Sequence, residues 1–318
     1  MKKQTVIFMG TAEFSAKVLQ SLIDNPDIDV IAVVSQPDRI GGRKKELIPT
    51  DVHVLAEANN IPVYQPQKLS GSPEMEELIN LQADFLVTAA FGQFLPTKFL
   101  DSAKVAAINV HASLLPKYRG AAPINWAIIN GDKITGISIM YMVKAMDAGD
   151  VISTVVVPIE DEDNAGSLFD KMAIAGASLL NETIPTLVDK TATPQAQNEN
   201  EVTLAPKITS ELLQLDFKNQ AAEQIVNLVR GLNPMEAPFF NLGELKIKVL
   251  KASAGDEVAE NSAKIFEYDK KGFSIVAADK RQVFIETLQL PGKNPVSYKD
   301  FINGAGRNFE PGQELVKL

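Results

Sequence analysis

The sequence predicts an α/β protein in which an open parallel sheet is followed by a small β-barrel domain. In the first half of the chain, short apolar runs alternate with segments whose apolar residues recur at helical spacing. This alternation is typical of a parallel sheet with helices on both faces. Beyond residue 245, short strand-like runs are separated by turns, a pattern that favours an OB-like barrel. The length of 318 residues agrees with about two domains.

The elements of the first domain follow in chain order. Strands are predicted over residues 6–9, 30–34, 63–64, 85–90 and 105–110. The intervening helices carry Phe14 and Val18, begin after Thr50, and begin at Pro73. Two further strands, 137–142 and 151–157, are expected to be neighbours joined through the turn 147–150, and a helix over 167–187 closes the domain.

The rest of the chain reads as a linker and a second domain. Residues 189–206 are polar and predict a linker. A helix over 221–232 precedes strands over 246–251, 265–268, 273–277 and 282–290. We therefore expect a first domain at 1–188, a linker at 189–206 and a barrel-like domain at 207–318.

Composition excludes several classes of function. The chain has no cysteine and only two histidines, His53 and His111, which excludes disulfides, thiolate catalysis and Cys-based metal sites. The net charge of −9 does not indicate a nucleic-acid-binding protein. However, residues 1–206 hold 16 basic and 25 acidic residues, whereas residues 207–318 hold 15 of each. The second part is therefore relatively basic and suited to contact phosphate.

The beginning of the chain predicts a strand and not a targeting segment. Gly10 and Glu13 interrupt the first apolar run too early for a signal peptide. No apolar run approaches the 18 residues that a membrane span needs. With neither a signal nor cysteine, we expect a cytosolic protein that does not act at a membrane.

Gly10 follows the first strand, which raises the question of a dinucleotide site. The segment lacks the second and third glycines of the GxGxxG motif, and Glu13 would repel phosphate at the helix N-terminus. The open sheet is compatible with this segment, but NAD binding is not.

The densest group of chemically useful side chains lies at the end of the strand 105–110. Side chains alternate along a strand, so Asn109 and His111 face the same way. Such a pair can stabilise a carbonyl oxygen that becomes anionic, and His111 can carry a proton near neutral pH. The alternative is a histidine satisfied by the backbone and an asparagine that closes a turn. The loop 113–116 and the polar turn downstream favour the catalytic interpretation.

That polar turn places two aspartates around Gly149, between two predicted strands. Gly149 and Asp150 fit an ordinary hairpin turn. The turn does not require Asp147, which can therefore lie beside His111 if its strand adjoins the strand of Asn109. A carboxylate there would hold an imidazolium and help to take up a proton.

A long loop over residues 36–49 follows the second strand. It contains two glycines and the densest basic cluster of the chain, formed by Arg39, Arg43, Lys44 and Lys45. A flexible basic loop suits a nucleic-acid backbone, whereas a merely solvated charged loop is the alternative.

At these segments the sequence resembles the methionyl-tRNA formyltransferase family, over essentially the whole chain. The resemblance rests on Asn109-Val110-His111 leading into Ser113–Pro116 and Arg119-Gly120-Ala121-Ala122-Pro123. It is also carried by Gln36-Pro37-Asp38-Arg39 with Gly42-Arg43 and Pro49, by Lys207, by Asn233-Pro234 and by Pro291-Gly292-Lys293. The chain departs from the family pattern at Ala112, where glycine is common, at Phe91, where tyrosine is frequent, and at Met235-Glu236, where Trp-Pro is usual.

The resemblance implies a Rossmann-like catalytic domain, a linker and a barrel-like tRNA-binding domain. It implies 10-formyltetrahydrofolate as formyl donor and the amino group of methionyl initiator tRNA as acceptor. By similarity, the catalytic residues are Asn109, His111 and Asp147, and the folate site is lined by Ser113, Leu114, Leu115 and Pro116. The tRNA contacts implied are Arg39, Arg43, Lys44, Lys45, Lys207 and Lys293.

The expected reaction is direct attack of the amine on the formyl carbon. Asn109 and protonated His111 would stabilise the tetrahedral oxyanion, and Asp147 would hold the histidine. This chemistry needs no metal ion, and we expect a monomer. Two alternatives remain open at this point: a formyltransferase or 10-formyltetrahydrofolate hydrolase that acts without tRNA, and an RNA-binding protein whose first domain is inactive.

Overall fold

The structure, a computed structural model, describes residues 3–41 and 46–315. The chain forms two compact units, each assembled from separate stretches of sequence. The first contains Met1–Pro123, Ile134–Pro158 and Phe169–Pro206, and the second contains Ile124–Lys133, Ile159–Leu168 and Lys207–Leu318. Two short segments that belong to the second unit, 124–133 and 159–168, lie before the predicted boundary at residue 188. The boundaries at residues 188 and 207 stay a prediction for the limits of the functional domains.

The first half of the chain alternates strand and helix, as the sequence predicts. The elements up to residue 205 are β1 Gln4–Gly10, α1 Glu13–Ile23, β2 Ile28–Val34, β3 Arg39–Gly41, β4 Glu46–Ile48, α2 Asp51–Ala58, β5 Val63–Tyr64, α3 Pro73–Asn80, β6 Phe85–Ala89, α4 Thr97–Leu100, β7 Ala106–His111, β8 Arg119–Gly120, α5 Pro123–Ile129, β9 Ile134–Tyr141, β10 Val151–Pro158, α6 Ala165–Val188 and β11 Leu204–Ala205. One addition is the short antiparallel pair β3–β4, which lies within the predicted loop 36–49.

A seven-stranded sheet forms the centre of the first unit, in the order β10-β9-β7-β6-β1-β2-β5. The five strands from β5 to β7 run parallel, and β9 and β10 continue the sheet in antiparallel pairing. β1 adjoins both β2 and β6, so the chain reverses its direction of winding at β1, as in doubly wound folds. The predicted Rossmann-like sheet is confirmed.

Apolar patterning and capping explain these elements. The β6 strand is buried along its whole length, as expected for a strand in a sheet covered on both faces. Helix α1 packs an apolar face that includes Phe14, Val18 and Leu22. The hydroxyls of Thr50 and Ser72 cap α2 and α3 by accepting from backbone N–H groups of their first turns.

The second unit is built around an antiparallel sheet. Among the described residues beyond 206, its α-helices and β-strands are α7 Ala222–Leu232, β12 Phe239–Leu242, β13 Leu245–Glu257, β14 Ile265–Tyr268, β15 Phe273–Val276, β16 Arg281–Gln289, β17 Val296–Ser297 and α8 Tyr298–Asn303, and a 3-10 helix spans Ser210–Leu213. The order is β12-β13-β16-β15-β14, with β17 on β16. Within the described part of this unit, β12 and β14 do not pair, so the predicted barrel takes the form of a curled half-barrel.

The core of the second unit is rich in aromatic side chains. Phe273 stacks on Phe301 with ring centroids 6.0 Å apart, and Tyr268 meets Phe273 edge-on at 5.0 Å. Burial raises the pKa of the Tyr268 hydroxyl well above its ordinary value, and this hydroxyl donates to the carbonyl of Gly306 at 2.7 Å. The polar atom of this aromatic core is therefore satisfied.

Helix α7 explains why two earlier segments belong to the second unit. Asn125 Nδ2 on α5 donates to the carbonyl of Gly231 at 2.7 Å. Arg230 donates to the carbonyls of Asp163 at 2.8 Å and Glu160 at 2.7 Å. The guanidinium thereby satisfies backbone oxygens of the segment Ile159–Leu168.

Residues 189–206, predicted as a linker, pack within the first unit. β11 pairs in parallel with β8, and Gln195 exchanges two backbone hydrogen bonds with Val151. Separately, none of the helices in the described ranges is long and apolar enough to span a membrane.

Candidate active site

Asn109 and His111 stand at the carboxyl end of β7, the last parallel strand. Thr88 of β6 lies opposite Asn109, and Ser138 of β9 lies opposite His111. His111 is buried, and Asn109 is half-buried. The alternation along β7 therefore carries both side chains to the same face, at the edge of the sheet where α/β folds bind ligands.

The Thr88 hydroxyl orients the Asn109 amide. Thr88 Oγ1 lies 2.8 Å from Asn109 Oδ1, 3.3 Å from Met142 Sδ and 3.5 Å from the carbonyl of Ile108. A hydroxyl has one proton, and the amide oxygen is both the nearest and a stronger acceptor than sulfur. With Oδ1 accepting, Nδ2 points away from Thr88, and no acceptor for it is found among the described residues. Asn109 thus presents two N–H donors.

Both ring nitrogens of His111 face acceptors. Nε2 lies 3.0 Å from the carbonyl of Tyr118, and Nδ1 lies 3.7 Å from Asp147 Oδ1. A carbonyl only accepts, so Nε2 carries a hydrogen. Nδ1 is therefore the ring nitrogen that faces the carboxylate, and the 3.7 Å separation is too long for a hydrogen bond.

Asp147 reaches His111 from the turn between β9 and β10. Its φ of 51° lies in the left-handed region, and its second oxygen, Oδ2, accepts from the backbone N–H of Gly120 at 2.9 Å. Gly149 is required in this turn because a Cβ there would lie 1.9 Å from the carbonyl oxygen of Tyr141. The structure thus brings Asn109, His111 and Asp147 to one end of the sheet, as the sequence predicts.

The loop 113–116 follows directly from β7. Ser113 is fully buried, and its hydroxyl donates to the carbonyl of Lys117 at 2.6 Å. The hydroxyl thus stabilises the backbone of the loop. Ser138 Oγ accepts from the Leu115 backbone N–H at 3.1 Å and donates to the Ser113 carbonyl at 2.7 Å. Leu114, Leu115 and Pro116 are half-buried, and their folate contacts stay a prediction.

The basic loop is anchored at its base by Asp38. This carboxylate accepts from Gln65 Nε2 at 2.6 Å, from the Thr50 backbone N–H at 3.2 Å and from His53 Nδ1 at 3.1 Å. Burial raises the pKa of Asp38, but these hydrogen bonds outweigh burial and hold the pKa below its ordinary value. Arg39, the next residue, is exposed.

The remaining predicted tRNA contacts fall into two groups. Arg43, Lys44 and Lys45 lie outside the described residues. Lys207 and Lys293 are exposed on the second unit. Their roles stay predictions.

Sequence reasoning missed the residues that hold the catalytic candidates in place. Thr88 is one, and Gln197 is another: its Nε2 donates to the carbonyls of Asp147 at 2.8 Å and Gly149 at 2.7 Å. Thr88 lies in an apolar strand, and Gln197 lies in a polar stretch, so neither stands out by residue type or spacing. Arg119 gave a signal, since it belongs to the motif that follows the loop 113–116.

An amide donor, an imidazole and a carboxylate around one point form a site suited to acyl-type transfer, in which a carbonyl oxygen becomes anionic. Comparison with known proteins agrees with this class. Residues 2–184 match the model of the family described as formyl transferase, and residues 207–306 match that of the formyl transferase C-terminal domain.

Curated relatives match almost the full length. A methionyl-tRNA formyltransferase of Streptococcus uberis is 49% identical over 309 residues, covering 96% of this chain and 97% of the relative. One of Pediococcus pentosaceus is 45% identical over 314 residues, covering 98% of each. The chain therefore belongs to the formyl transferase family, among its methionyl-tRNA formyltransferases, and the resemblance predicted from the sequence is confirmed.

Solved structures support the fold. The sugar 3N-formyl transferase WlaRD, in a crystal structure with dTDP and 5-N-formyl-THF, has a TM-score of 0.66 at 19% identity, covering 92% of this chain and all of that chain. An N-formyltransferase of Helicobacter canadensis, in complex with folinic acid and dTDP-3-aminofucose, has the same TM-score and identity and covers 90% of this chain and 99% of that one.

Proposed function

We propose that this protein transfers a formyl group from 10-formyltetrahydrofolate to the amino group of methionyl initiator tRNA. The observation that carries the proposal is the convergence of Asn109, His111 and Asp147 at the carboxyl end of β7. Its near full-length relatives are named for this activity, and two proteins of the same fold were crystallised with formylated folates.

The reaction forms one bond to the formyl carbon and breaks another. The neutral amine of the acceptor attacks the formyl carbon, and the formyl oxygen becomes anionic. Asn109 Nδ2 is a donor for that oxygen because Thr88 holds Oδ1 on its far side. His111 in its protonated form supplies the second donor through Nδ1–H, since Nε2–H is already bound to the carbonyl of Tyr118.

Asp147 balances the charge and the proton of this step. Its carboxylate faces Nδ1 of His111 and stabilises the imidazolium while the oxyanion exists. When the intermediate collapses, the carbon–nitrogen bond to the folate breaks, the amine proton is released and the folate nitrogen takes up a proton. Asp147 and His111 are the groups placed to carry that proton.

The assignment of substrates to domains completes the proposal. Residues 1–188 carry the chemistry, with Ser113, Leu114, Leu115 and Pro116 lining the folate site, and residues 207–318 form a tRNA-binding domain. The exposed Arg39, together with Arg43, Lys44 and Lys45, contacts the acceptor end of the tRNA, and Lys207 and Lys293 help to form a basic channel for it. The monomeric state and the cytosolic location stay predictions.

The test is formylation with four acceptors: charged initiator tRNA, charged elongator tRNA, an amino-sugar nucleotide and water. We expect the initiator tRNA to be formylated fastest. The affinity for this tRNA should also fall steeply as salt is added, because phosphate contacts release counterions. Faster transfer to the sugar or to water, with no dependence of KM on salt, would contradict the proposal and favour a formyltransferase or hydrolase that acts without tRNA.

A further inference from the structure

Residues 195–205, predicted as a linker, supply hydrogen bonds to the backbone around Asp147 and His111. The backbone of Gln195 pairs with Val151, and that of Ala205 accepts from Ala121 at 2.8 Å. The carbonyl of Thr203 accepts from the backbone N–H of Arg119 at 2.9 Å. That N–H belongs to the same peptide group as the Tyr118 carbonyl, which accepts from His111 Nε2. The segment therefore orients the peptide that holds the imidazole.

Within this segment, Gln197 contacts the backbone of the turn that carries Asp147. Its Nε2 lies 2.8 Å from the carbonyl of Asp147 and 2.7 Å from the carbonyl of Gly149. Its Oε1 accepts from Arg119 Nε at 3.0 Å. Carbonyls only accept and a guanidinium only donates, so the orientation of this amide is unambiguous. Both N–H donors of the amide and one lone pair of its oxygen are therefore used.

Arg119 is itself fixed. Its side chain is 9% exposed, and Nη1 and Nη2 donate to Glu199 at 3.2 Å and 2.7 Å. This paired, bidentate contact sets the plane of the guanidinium. Nε therefore points at Gln197 from a fixed position.

The turn that Gln197 holds needs external support. Asp147 has a φ of 51°, which is uncommon for a residue other than glycine. Such conformations persist when the surrounding contacts enforce them. The carboxylate is held at Oδ2 by Gly120, but the direction from which it approaches His111 depends on the backbone of the turn.

We infer that Gln197 is a positioning residue for formyl transfer: it fixes the backbone of the 147–149 turn so that the Asp147 carboxylate faces His111 Nδ1. The inference rests on the proposed function, because it assigns Gln197 a role only through Asp147. A continuous chain of hydrogen bonds then leads to the turn. Glu199 holds the guanidinium of Arg119, the guanidinium holds the amide of Gln197, and the amide holds the backbone of the turn.

The test uses the full-length protein and the variant Gln197→Met, which keeps the length of the side chain but removes both N–H donors and the acceptor oxygen. The matched control is Gln195→Ala, because Gln195 is exposed and no side-chain hydrogen bond is found for it in the described part of the chain. Both are compared by thermal melting and by formylation of charged initiator tRNA. We expect Gln197→Met to lower kcat by about 10- to 100-fold, as misplacement of a catalytic group by about 1 Å does, with unchanged KM for the formyl donor. Gln195→Ala should keep the wild-type kcat.

A double-mutant cycle separates positioning from general stability. In the Asp147→Asn background, Gln197→Met should cause no further loss of kcat, since the group that it positions is already disabled. A full additional loss in that background, or a wild-type kcat for Gln197→Met alone, would overturn the inference. If Asp147→Asn itself kept wild-type activity, the proposed function would fail at Asp147. If Asp147→Asn were impaired and Gln197→Met were not, only the role of Gln197 would fail.

Discussion

Replacing Thr88 by valine should impair catalysis although Thr88 touches no substrate in the proposed reaction. Thr88 is buried, with 4% of the residue exposed, and lies beside Asn109 across the β6–β7 pair. Valine has nearly the same shape, so the strand and its packing should be retained. What is lost is the 2.8 Å hydrogen bond that keeps the amide oxygen turned toward Thr88 and the amide N–H groups turned away.

The size of the effect follows from that one hydrogen bond. A neutral hydrogen bond contributes about 0.5–1.5 kcal/mol net, and its loss leaves Oδ1 of Asn109 without this donor. Without this hydrogen bond, the orientation of the Asn109 amide in which Nδ2 points away from residue 88 is no longer favoured. A loss of about 1.4 kcal/mol corresponds to a tenfold change, so kcat should fall by about tenfold. This is less than the 10²–10³-fold loss expected, in order of magnitude, when an oxyanion donor is removed outright.

The assay is single-turnover formylation of charged initiator tRNA, with Thr88→Ser as the matched control. Serine keeps the hydroxyl, so its rate should stay close to that of the wild type. Equal rates for valine and serine, with both variants folded, would refute the idea that this hydroxyl orients Asn109.

Three further predictions concern the basic loop and the turn. Arg39→Ala should raise KM for tRNA and reduce the slope of log affinity against log salt by about one, with the KM for the donor unchanged. The control is Lys104→Ala, because Lys104 is also exposed. Equal slopes for the two variants would contradict the contact of Arg39 with tRNA. Burial raises the pKa of Asp38, but hydrogen bonds outweigh burial and hold this pKa below its ordinary value. The stability that the carboxylate contributes is therefore complete at neutral pH. It begins to fall as the pH drops through about 3.9, the ordinary value in an unfolded chain, and is lost below the pKa in the folded protein. The urea midpoint of Asp38→Asn should therefore lie below that of the wild type at pH 7, and the gap should close in acid; a gap independent of pH would contradict this. Gly149→Ala places a methyl group 1.9 Å from a backbone oxygen of Tyr141, so its free energy of unfolding should fall by roughly 1–3 kcal/mol, and an unchanged melting temperature would count against the turn.

The sequence predicted the sheet and the catalytic candidates because both are carried by strong local signals. Buried strands such as β6 read as continuous apolar runs, and alternation along β7 placed Asn109 and His111 on one side. The approach of Asp147 to His111 was expected on the condition that its strand adjoins the strand of Asn109, and β9 does pair with β7.

The supporting contacts were not predictable in the same way. Gln197 is 50 positions from Asp147, and its role depends on a polar segment folding back on the sheet and not leaving it. Segments 124–133 and 159–168 join the second unit through contacts that include the side chains of Asn125 and Arg230, which no periodicity reveals. Polar side chains that bind backbone carbonyls leave no pattern in sequence, because any carbonyl can accept.

The most direct test of the proposed chemistry is the single-turnover rate of formyl transfer to charged initiator tRNA by Asn109→Ala and His111→Ala. Each variant removes one of the two donors that face the formyl oxygen in the proposed reaction. We expect each rate to fall by about 10²–10³-fold while the melting temperature stays near that of the wild type. Folded variants that transfer the formyl group at the wild-type rate would contradict the assignment of this site.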